Sequence, residues 1–336
     1  MALPIAKTVD FKPGERNVFF HILTGCNLSC QHCYINPAQH GTGSVAGDTI
    51  EKWLTLFMDE KKESNVVFLG GEPTMHKDLP RAIKTARKLG YRSVTVDTNG
   101  FLLHNFLGKV DPADLDFLSF SLDGPTADIN DPIRGPGVFE TCTENLRKAV
   151  LKGFNVSLIY TVSRRNIDHL HLMPDLLAEW GVKRFFIQVI GIRGKPARNG
   201  ADKWQLSHRE WLDIIPRVAA ASANQGITVT YPKVFLKPGE TFECAGRVAE
   251  NYFIFPNGRV YQCPLCEDYP VNAYRIEDDR LVKNDGILED GFFTLDIPEG
   301  CVINKLLQPD NLQYDAEGKP LYKISCCLLK QEIKKT

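Results

Sequence analysis

Apolar residues in the first two thirds of the chain follow two alternating periodicities. Short apolar runs of strand length are followed by longer segments whose apolar positions recur at helical spacing, as at Ile50, Trp53 and Phe57. Ser207 and Glu210 add the pattern of a helix capping box. The pattern predicts strands at 16–24, 65–69, 93–97, 115–122, 155–162 and 183–190, and helices at 49–62, 79–89, 102–107, 138–152, 168–180 and 207–224.

The alternation predicts an α/β fold built on a parallel sheet. Strand–helix units in succession place parallel strands side by side through right-handed crossovers, with the helices packed outside the sheet. A complete barrel of eight such units takes about 250 residues. The units within 16–235 therefore predict a partial (β/α)6 barrel.

The pattern changes after residue 235. Asn257-Gly258 separates the runs 251–255 and 259–262, which is the pattern of a β-hairpin with a tight turn. The remaining sequence is rich in cysteine and has little helical periodicity. We predict a lead-in over 1–15, the partial barrel over 16–235, and a small cysteine-rich C-terminal domain with a β-hairpin over 236–336.

Charge and hydropathy exclude several classes of partner. Lys and Arg number 40, and Asp and Glu number 41, so the net charge of −1 provides no broad positive field for a phosphate backbone. Lys7 and Asp10 interrupt any apolar stretch of signal-peptide length. No run reaches the ~18 apolar residues of a membrane span. These features predict a cytoplasmic protein with neither nucleic acid nor membrane as a partner.

The chain has 10 cysteines, which in a reducing compartment favours metal ligands over disulfides. Cys26, Cys30 and Cys33 form a first group, and a second group lies between 244 and 327. Three thiolates in so short a segment can hold a four-iron cluster and leave one iron open. The alternatives are a structural zinc site that includes His32, or unrelated buried cysteines. Cys142 stands alone in a predicted helix and fits a buried apolar position.

Polar motifs follow the second, third and fourth predicted strands. They are Gly70-Gly71-Glu72-Pro73, Thr98-Asn99-Gly100 and Ser121-Leu122-Asp123-Gly124-Pro125. Each one alone is also compatible with ordinary turn chemistry. Because the carboxyl ends of parallel strands open on one face, where such folds place their sites, the motifs together with the first cysteine group predict one active site.

A Cys-x-x-x-Cys-x-x-Cys segment after the first strand, with these motifs behind it, resembles the radical S-adenosylmethionine (SAM) superfamily. The resemblance implies a [4Fe–4S] cluster with an open iron on Cys26, Cys30 and Cys33. It also implies SAM with its amino group along Gly70, Gly71, Glu72 and Pro73, and with Ser121 and Asp123 near the ribose. Thr98 and Asn99 can hydrogen-bond either the ribose or the methionine carboxylate. An arginine at the position of Arg134 meets the SAM carboxylate in similar enzymes, whereas a solvated surface arginine is the alternative.

The second cysteine group resembles the opening of the auxiliary-cluster domains called SPASM and twitch. The resemblance rests on Cys244, Gly258 and Cys263, and it implies a second, auxiliary [4Fe–4S] cluster. The full SPASM run of four closely spaced cysteines is absent, so a single auxiliary cluster fits better. The best ligands are Cys244, Cys263 and Cys266, with the fourth from Cys326, Cys301 or Cys327. A zinc site on the same residues is the alternative.

The resemblance implies a reaction in which a reduced cluster cleaves SAM to a 5′-deoxyadenosyl radical that abstracts hydrogen from a substrate. A flavodoxin- or ferredoxin-type partner would supply the electron. The first hypothesis for the substrate is a peptide or protein side chain that is oxidised or cross-linked. The alternative is a small molecule, in a dehydrogenation or a cofactor-biosynthesis reaction. A third hypothesis is a non-catalytic protein that binds zinc or a cluster.

Overall fold

The structure is a computed structural model that describes residues 7–9, 11–198, 204–237 and 239–335. Its strands are β1 Lys7–Val9, β2 Glu15–His21, β3 Glu63–Leu69, β4 Ser93–Thr98, β5 Phe117–Ser121, β6 Val156–Val162, β7 Arg184–Val189, β8 Thr228–Pro232, β9 Phe235–Leu236, β10 Glu250–Ile254, β11 Arg259–Tyr261, β12 Tyr274–Glu277, β13 Arg280–Lys283, β14 Lys323–Ile324 and β15 Lys330–Ile333.

The helices of the described residues include the long ones that cover the sheet. They are α1 Pro37–His40, α2 Gly47–Phe57, α3 Leu79–Leu89, α4 Phe106–Lys109, α5 Ala127–Arg134, α6 Val138–Leu151, α7 Met173–Glu179, α8 Lys195–Arg198, α9 His208–Asn224, α10 Ala245–Val248, α11 Asp290–Phe293 and α12 Val302–Leu306. Short 3-10 helices lie at Pro73–Met75, Pro112–Asp114, Ile167–Leu172 and Pro309–Asn311. Within the described parts, no helix is long and apolar enough to cross a membrane.

One mixed sheet organises the fold. Strands β2 to β8 lie side by side in chain order, and each neighbouring pair is parallel. The whole order is β1-β15-β8-β7-β6-β5-β4-β3-β2-β10-β11-β12-β13, and a separate pair joins β9 to β14. The predicted α/β partial barrel is confirmed, because parallel strands alternate with helices as far as β8.

Alternation along each strand divides the molecule into an outer core and a barrel interior. In β2, Val18 and Phe20 are buried, and the Phe20 ring lies 5.8 Å from the Trp53 ring of α2. Phe19 lies between these two residues and points to the opposite face of the strand, where its ring stacks on that of Phe253 of β10 at 4.4 Å. Burial of these apolar side chains is the main force that holds helices and strands together.

Several predicted elements need correction. Strand β8 was missed, because its sequence Thr-Val-Thr-Tyr-Pro is short, half polar and ends in proline. The helix predicted at 102–107 is only Phe106–Lys109, and the one at 168–180 begins as a 3-10 helix. The capping box at Ser207 and Glu210 is confirmed.

Strands from the cysteine-rich segment extend the barrel sheet at both edges. The predicted hairpin is formed by β10 and β11, and β10 also pairs in parallel with β2, with Glu250 opposite Arg16. At the other edge β15 pairs antiparallel with β8 and with β1. The domain boundary at 235/236 stays a prediction, and continuous pairing crosses it.

Candidate active site

The first cysteine group lies in the loop that follows β2. The Cys26 sulfur accepts hydrogen bonds from the Leu28 backbone N–H at 3.4 Å and from the Asn99 side-chain amide at 3.6 Å. Burial raises the pKa of the Cys26 thiol to about 11 against the effect of the Leu28 amide. The Cys30 and Cys33 thiols add to this rise, because they lie near Cys26. The structure therefore brings the predicted group together.

Gly70 and Gly71 pack directly against the backbone that leads into this loop. A Cβ atom at Gly70 would lie 2.5 Å from the Leu23 carbonyl oxygen, and one at Gly71 would lie 2.1 Å from that of Gly25. The backbone N–H of Gly71 donates to Leu23 at 2.9 Å, and that of Glu72 donates to Gly25 at 3.0 Å. The glycines thus let the end of β3 hold the cysteine loop, and their contact with SAM stays a prediction.

The Glu72 carboxylate is fully buried and joins the ends of β3 and β4. Its Oε1 accepts from the Thr98 hydroxyl at 2.7 Å and from the Thr74 hydroxyl at 2.6 Å, while Oε2 accepts from the Asn99 backbone N–H at 2.7 Å. Burial raises the pKa of this carboxyl, and these hydrogen bonds oppose the rise. The Asn99 side chain also contacts the Cys26 sulfur. Glu72 therefore holds the backbone of a residue that contacts the cysteine loop.

Asp123, at the end of β5, forms a buried charge cluster. Its Oδ2 lies 2.9 Å from His32 Nε2 and 2.6 Å from Arg134 Nε, and its Oδ1 accepts from the Thr161 backbone N–H at 2.8 Å. Burial alone raises the pKa of the Asp123 carboxyl, but Arg134 and His32 lower it to about 2. The ionised carboxylate therefore ties β5 to the cysteine loop and to α5, and its predicted place near the ribose stays a prediction.

Sequence reasoning did not predict that His32 and Arg134 both contact Asp123. His32 was considered only as a zinc ligand, yet its ring contacts Asp123 and lies parallel to Trp204 at 6.4 Å. Its position inside the cysteine loop, facing the ends of the strands, was the available clue. Arg134 is only 7% exposed, so the alternative of a solvated surface arginine is wrong. Its contact with the SAM carboxylate stays a prediction.

Ser121 and Pro73 differ in what they leave open. The Ser121 side chain is partly exposed, and its hydroxyl has no hydrogen-bond partner in the part of the chain that the structure describes. Pro73 is buried and begins the 3-10 helix that follows Glu72. Ser121 is therefore the motif residue whose polar group is free to meet a ligand.

A row of polar side chains that the sequence did not single out faces the barrel interior. Asp97, Ser119 and Ser157 are neighbours in register on β4, β5 and β6, and the two serine hydroxyls are hydrogen-bonded. Lys330 of β15 places its Nζ 4.8 Å from the centre of the Phe186 ring. Burial raises the pKa of Asp97 to about 7, with Ser119 and Lys330 opposing the rise. Asp97 precedes Thr98 directly, which was the clue in the sequence.

The second cysteine group is assembled from separate segments. Burial raises the pKa of the Cys301 thiol, and other thiols of the group add to the rise because they lie near it, namely Cys326, Cys263 and Cys244. Another set of neighbours surrounds the Cys266 thiol, namely Cys263, Cys301 and Cys327. The predicted cysteines are thus brought together by the fold, although they are far apart in sequence.

Backbone amides point at several of these sulfurs. The Cys301 sulfur accepts from the Asn304 N–H at 3.5 Å. Cys327 and three backbone amides lower the pKa of Cys326 to about 7, against the effect of burial. Hydrogen bonds to sulfur accompany thiolates that bind iron–sulfur clusters, so the donor set fits such a group. Throughout the described ranges, no group of three or more His, Cys, Asp or Glu side chains is arranged to hold a single metal ion.

Comparison with known proteins decides the family of the barrel. Residues 20–177 match the family model of the radical SAM superfamily. The chain carries a radical SAM domain. The predicted resemblance is therefore confirmed, and the cysteine loop and the motifs after β3 to β5 all lie within the matched residues.

The chain is similar to several curated proteins and solved structures. It is 31% identical over 201 residues to Fe-coproporphyrin III synthase of Methanosarcina barkeri, a match that covers 59% of this chain and only 50% of that protein. It is 26% identical over 310 residues to mycofactocin maturase MftC of Mycobacterium tuberculosis, covering 85% of this chain and 71% of the relative. The crystal structure of Streptococcus suis SuiB bound to precursor peptide SuiA superposes with a TM-score of 0.66 at 13% identity, covering 84% of this chain and 65% of SuiB, which shows a shared fold.

Proposed function

We propose that this protein is a radical SAM enzyme that reductively cleaves SAM to a 5′-deoxyadenosyl radical and abstracts hydrogen from a substrate. The observation that supports it best is the contact of Asn99 with the Cys26 sulfur, because Asn99 is itself held by Glu72 at its backbone N–H. Motifs from two strand ends and the cysteine loop thus form one constellation. Cys26, Cys30 and Cys33 hold the [4Fe–4S] cluster, which supplies the electron for the cleavage when it is bound and reduced.

The residues of this chain bind and orient SAM. Gly70, Gly71, Glu72 and Pro73 form one wall of the site. Glu72 keeps the Thr98–Asn99 backbone in place, and Asp123 keeps Arg134 and the cysteine loop in place. The Ser121 hydroxyl, which has no internal partner among the described residues, is the group we assign to the ribose.

The experiment is anaerobic iron and sulfide counting, with EPR and chromatographic detection of 5′-deoxyadenosine. We expect about eight irons in the reconstituted wild type and about four in a Cys26→Ala/Cys30→Ala/Cys33→Ala variant, the loss of one [4Fe–4S] unit with cysteine ligands. Wild type should release 5′-deoxyadenosine from SAM under strong reductant, and the variant should not. A fully loaded wild type that leaves SAM intact would favour the non-catalytic binding protein instead.

For the auxiliary [4Fe–4S] cluster we favour a particular set of the candidates Cys244, Cys263, Cys266, Cys301 and Cys326. Cys301 has Cys244, Cys263 and Cys326 as near neighbours. Burial raises the pKa values of Cys244 and Cys301, and backbone N–H groups at their sulfurs oppose the rise. Backbone N–H groups also help Cys327 to lower the pKa of Cys326. The set is therefore Cys244, Cys263, Cys301 and Cys326, and it leaves Cys266 and Cys327 free.

A peptide or protein side chain is the substrate we propose first. The fold is shared with SuiB, whose structure holds precursor peptide SuiA, and the match spans most of the present chain. The barrel interior offers Asp97, Ser119 and Lys330 to a polar group of the bound residue. Co-expression with peptides encoded beside the gene, followed by mass spectrometry, should reveal a mass shift from oxidation or cross-linking.

A small-molecule substrate is the second candidate. The observation that favours it is the 31% identity with Fe-coproporphyrin III synthase, which is higher than the identity with SuiB. Absence of a mass shift on every neighbouring peptide, together with active SAM cleavage, would favour this candidate. In either reaction we propose a flavodoxin- or ferredoxin-type protein as the reductant.

A further inference from the structure

A short segment after β7 contacts both cysteine-bearing parts of the chain. This bridging segment comprises Arg193, Gly194 and Lys195. On one side, the Lys195 backbone N–H donates to the Cys33 carbonyl at 3.0 Å, and its Nζ donates to the Cys30 carbonyl at 3.1 Å. Gly194 has a φ of +61°, and a Cβ atom there would lie 2.5 Å from the Cys33 carbonyl oxygen. Only glycine allows so close an approach to the first cysteine loop.

On its other side the bridging segment contacts residues around Cys263 and Cys266. Arg193 Nη1 lies 2.8 Å from Glu267 Oε2 and also donates to the Pro264 carbonyl. The Gly194 backbone N–H donates to Asp268 Oδ2 at 3.1 Å. The segment therefore links the two cysteine groups directly, through three consecutive residues.

Tyr34, which follows Cys33, completes the contact. The Arg193 guanidinium carbon lies 4.6 Å from the centre of the Tyr34 ring, and the Tyr34 hydroxyl lies 2.7 Å from His21 Nε2. Nearby, Asn36 donates to Asp268 Oδ1 at 2.7 Å. The ion pair is thus enclosed by segments that begin at each cysteine group.

The charges of this ion pair are removed from water. The Glu267 side chain is 2% exposed and that of Arg193 is 12% exposed. A buried ion pair pays a large desolvation cost, so it is weak evidence for a contribution to stability. A fixed charge in such surroundings acts strongly on its neighbours, and charge and hydrogen bonding near a cluster set its reduction potential.

We propose that Arg193 and Glu267 are positioning residues that set the reduction potential of the cluster held by the second cysteine group. The inference rests on the proposed auxiliary cluster. Reduction adds negative charge to a cluster, so the nearby Arg193 cation raises its potential and the Glu267 anion lowers it. The segment that also holds the Cys30 and Cys33 backbone therefore fixes how easily the second centre accepts an electron.

The test is an EPR-monitored redox titration of the reconstituted holoenzyme at about pH 9. The Glu267 carboxyl is ionised at that pH, because burial raises its pKa only to about 7 and Arg193 opposes the rise. Arg193→Met should shift the midpoint potential of the auxiliary cluster to a more negative value, and Glu267→Gln should shift it to a more positive value. Arg193→Lys should restore most of the wild-type potential, because it keeps the charge. Arg81→Met is the matched control, since Arg81 forms an exposed ion pair with Glu51 away from both groups and should cause no shift.

Opposite shifts in the two variants would support the proposal. Unchanged potentials, or shifts of both variants in the same direction, would overturn it at full iron content. Loss of iron from both Arg193→Met and Glu267→Gln would overturn it as well, since it indicates a purely structural role. A wild type with about four irons would instead refute the auxiliary cluster itself, which the iron count reveals before any titration.

Discussion

The two cysteine groups are assembled in opposite ways. Cys26, Cys30 and Cys33 lie in one loop, whereas the second group draws on segments around Cys244, Cys263, Cys301 and Cys326. The first site therefore depends on one loop and on the strand ends that support it. The second depends on the packing of β11, α10, α12 and the turn before β15, and it contains more cysteines than one cluster needs. Closely spaced ligands allow a site to be predicted from sequence. When the candidate ligands come from distant segments, the sequence is compatible with several ligand sets.

The sharpest way to separate the two groups is to replace one cysteine in each. Cys30→Ala should abolish formation of 5′-deoxyadenosine, because the remaining cysteines of the loop hold no competent cluster. Cys301→Ala should lower the iron content by about four and keep SAM cleavage without substrate. Cys327→Ala is the matched control and should keep all iron. If Cys327→Ala loses the auxiliary iron and Cys301→Ala keeps it, the proposed ligand set is wrong.

A second test removes the charge that anchors the first loop to the barrel. Asp123→Asn leaves Arg134 buried beside a neutral group, so the free energy of unfolding should fall by about 3–5 kcal/mol. The exposed pair between Asp48 and Arg81 provides the control, and Asp48→Asn should leave the free energy of unfolding nearly unchanged, because solvent screens the pair. Urea unfolding at pH 7 measures both. Equal losses of stability in the two variants would mean that the contacts of Asp123 with His32 and Arg134 do not stabilise the first cysteine loop.

The same carboxylate predicts a pH dependence of stability. The pKa of Asp123 is about 2 in the folded protein and about 3.8 as the reference value, so ionisation favours the folded state above pH ~4. This contribution, about 2 kcal/mol for a shift of this size, is lost as the pH falls from about 4 to about 2. Between pH 7 and about pH 2.5, the free energy of unfolding should fall less with decreasing pH for Asp123→Asn than for wild type. Parallel curves would contradict the prediction.

The smallest expected effects come from a pair of glycines, one beside each cysteine group. Gly71→Ala brings a Cβ atom to 2.1 Å from the Gly25 carbonyl, and Gly300→Ala brings one to 2.4 Å from that of Ile324. Each should cost about 1–3 kcal/mol of stability. Gly71→Ala should weaken iron retention at the first site only, and Gly300→Ala at the second only. Gly291→Ala is the control, because a Cβ atom at Gly291 would have no other atom within 4 Å. Iron loss from both sites in either variant would contradict the assignment of one glycine to each site.

Sequence reasoning recovered the parts of the molecule that are encoded locally. The six predicted strands, the capping box and the three motifs at strand ends depend on residues within a few positions of one another. The contact between His32 and Asp123 joins residues from different β/α units, and Lys330 reaches the barrel interior only because β15 pairs with β8. No periodicity in the sequence reports such long-range pairings. Strand β8 was missed for a local reason, since its polar residues alternate with only two large apolar ones.

Pairing of β10 with β2 also determines when the protein can be completed during synthesis. Glu250 lies opposite Arg16 in this pairing, so the edge of β2 beside the first cysteine loop stays unpaired until residues 250–254 have been synthesised. An unpaired strand edge on a nascent chain is a template for aggregation. The other edge waits even longer, for β15. Both edges of the parallel strands β2 to β8 can therefore be covered only after residues 250–254 and 330–333 have been synthesised.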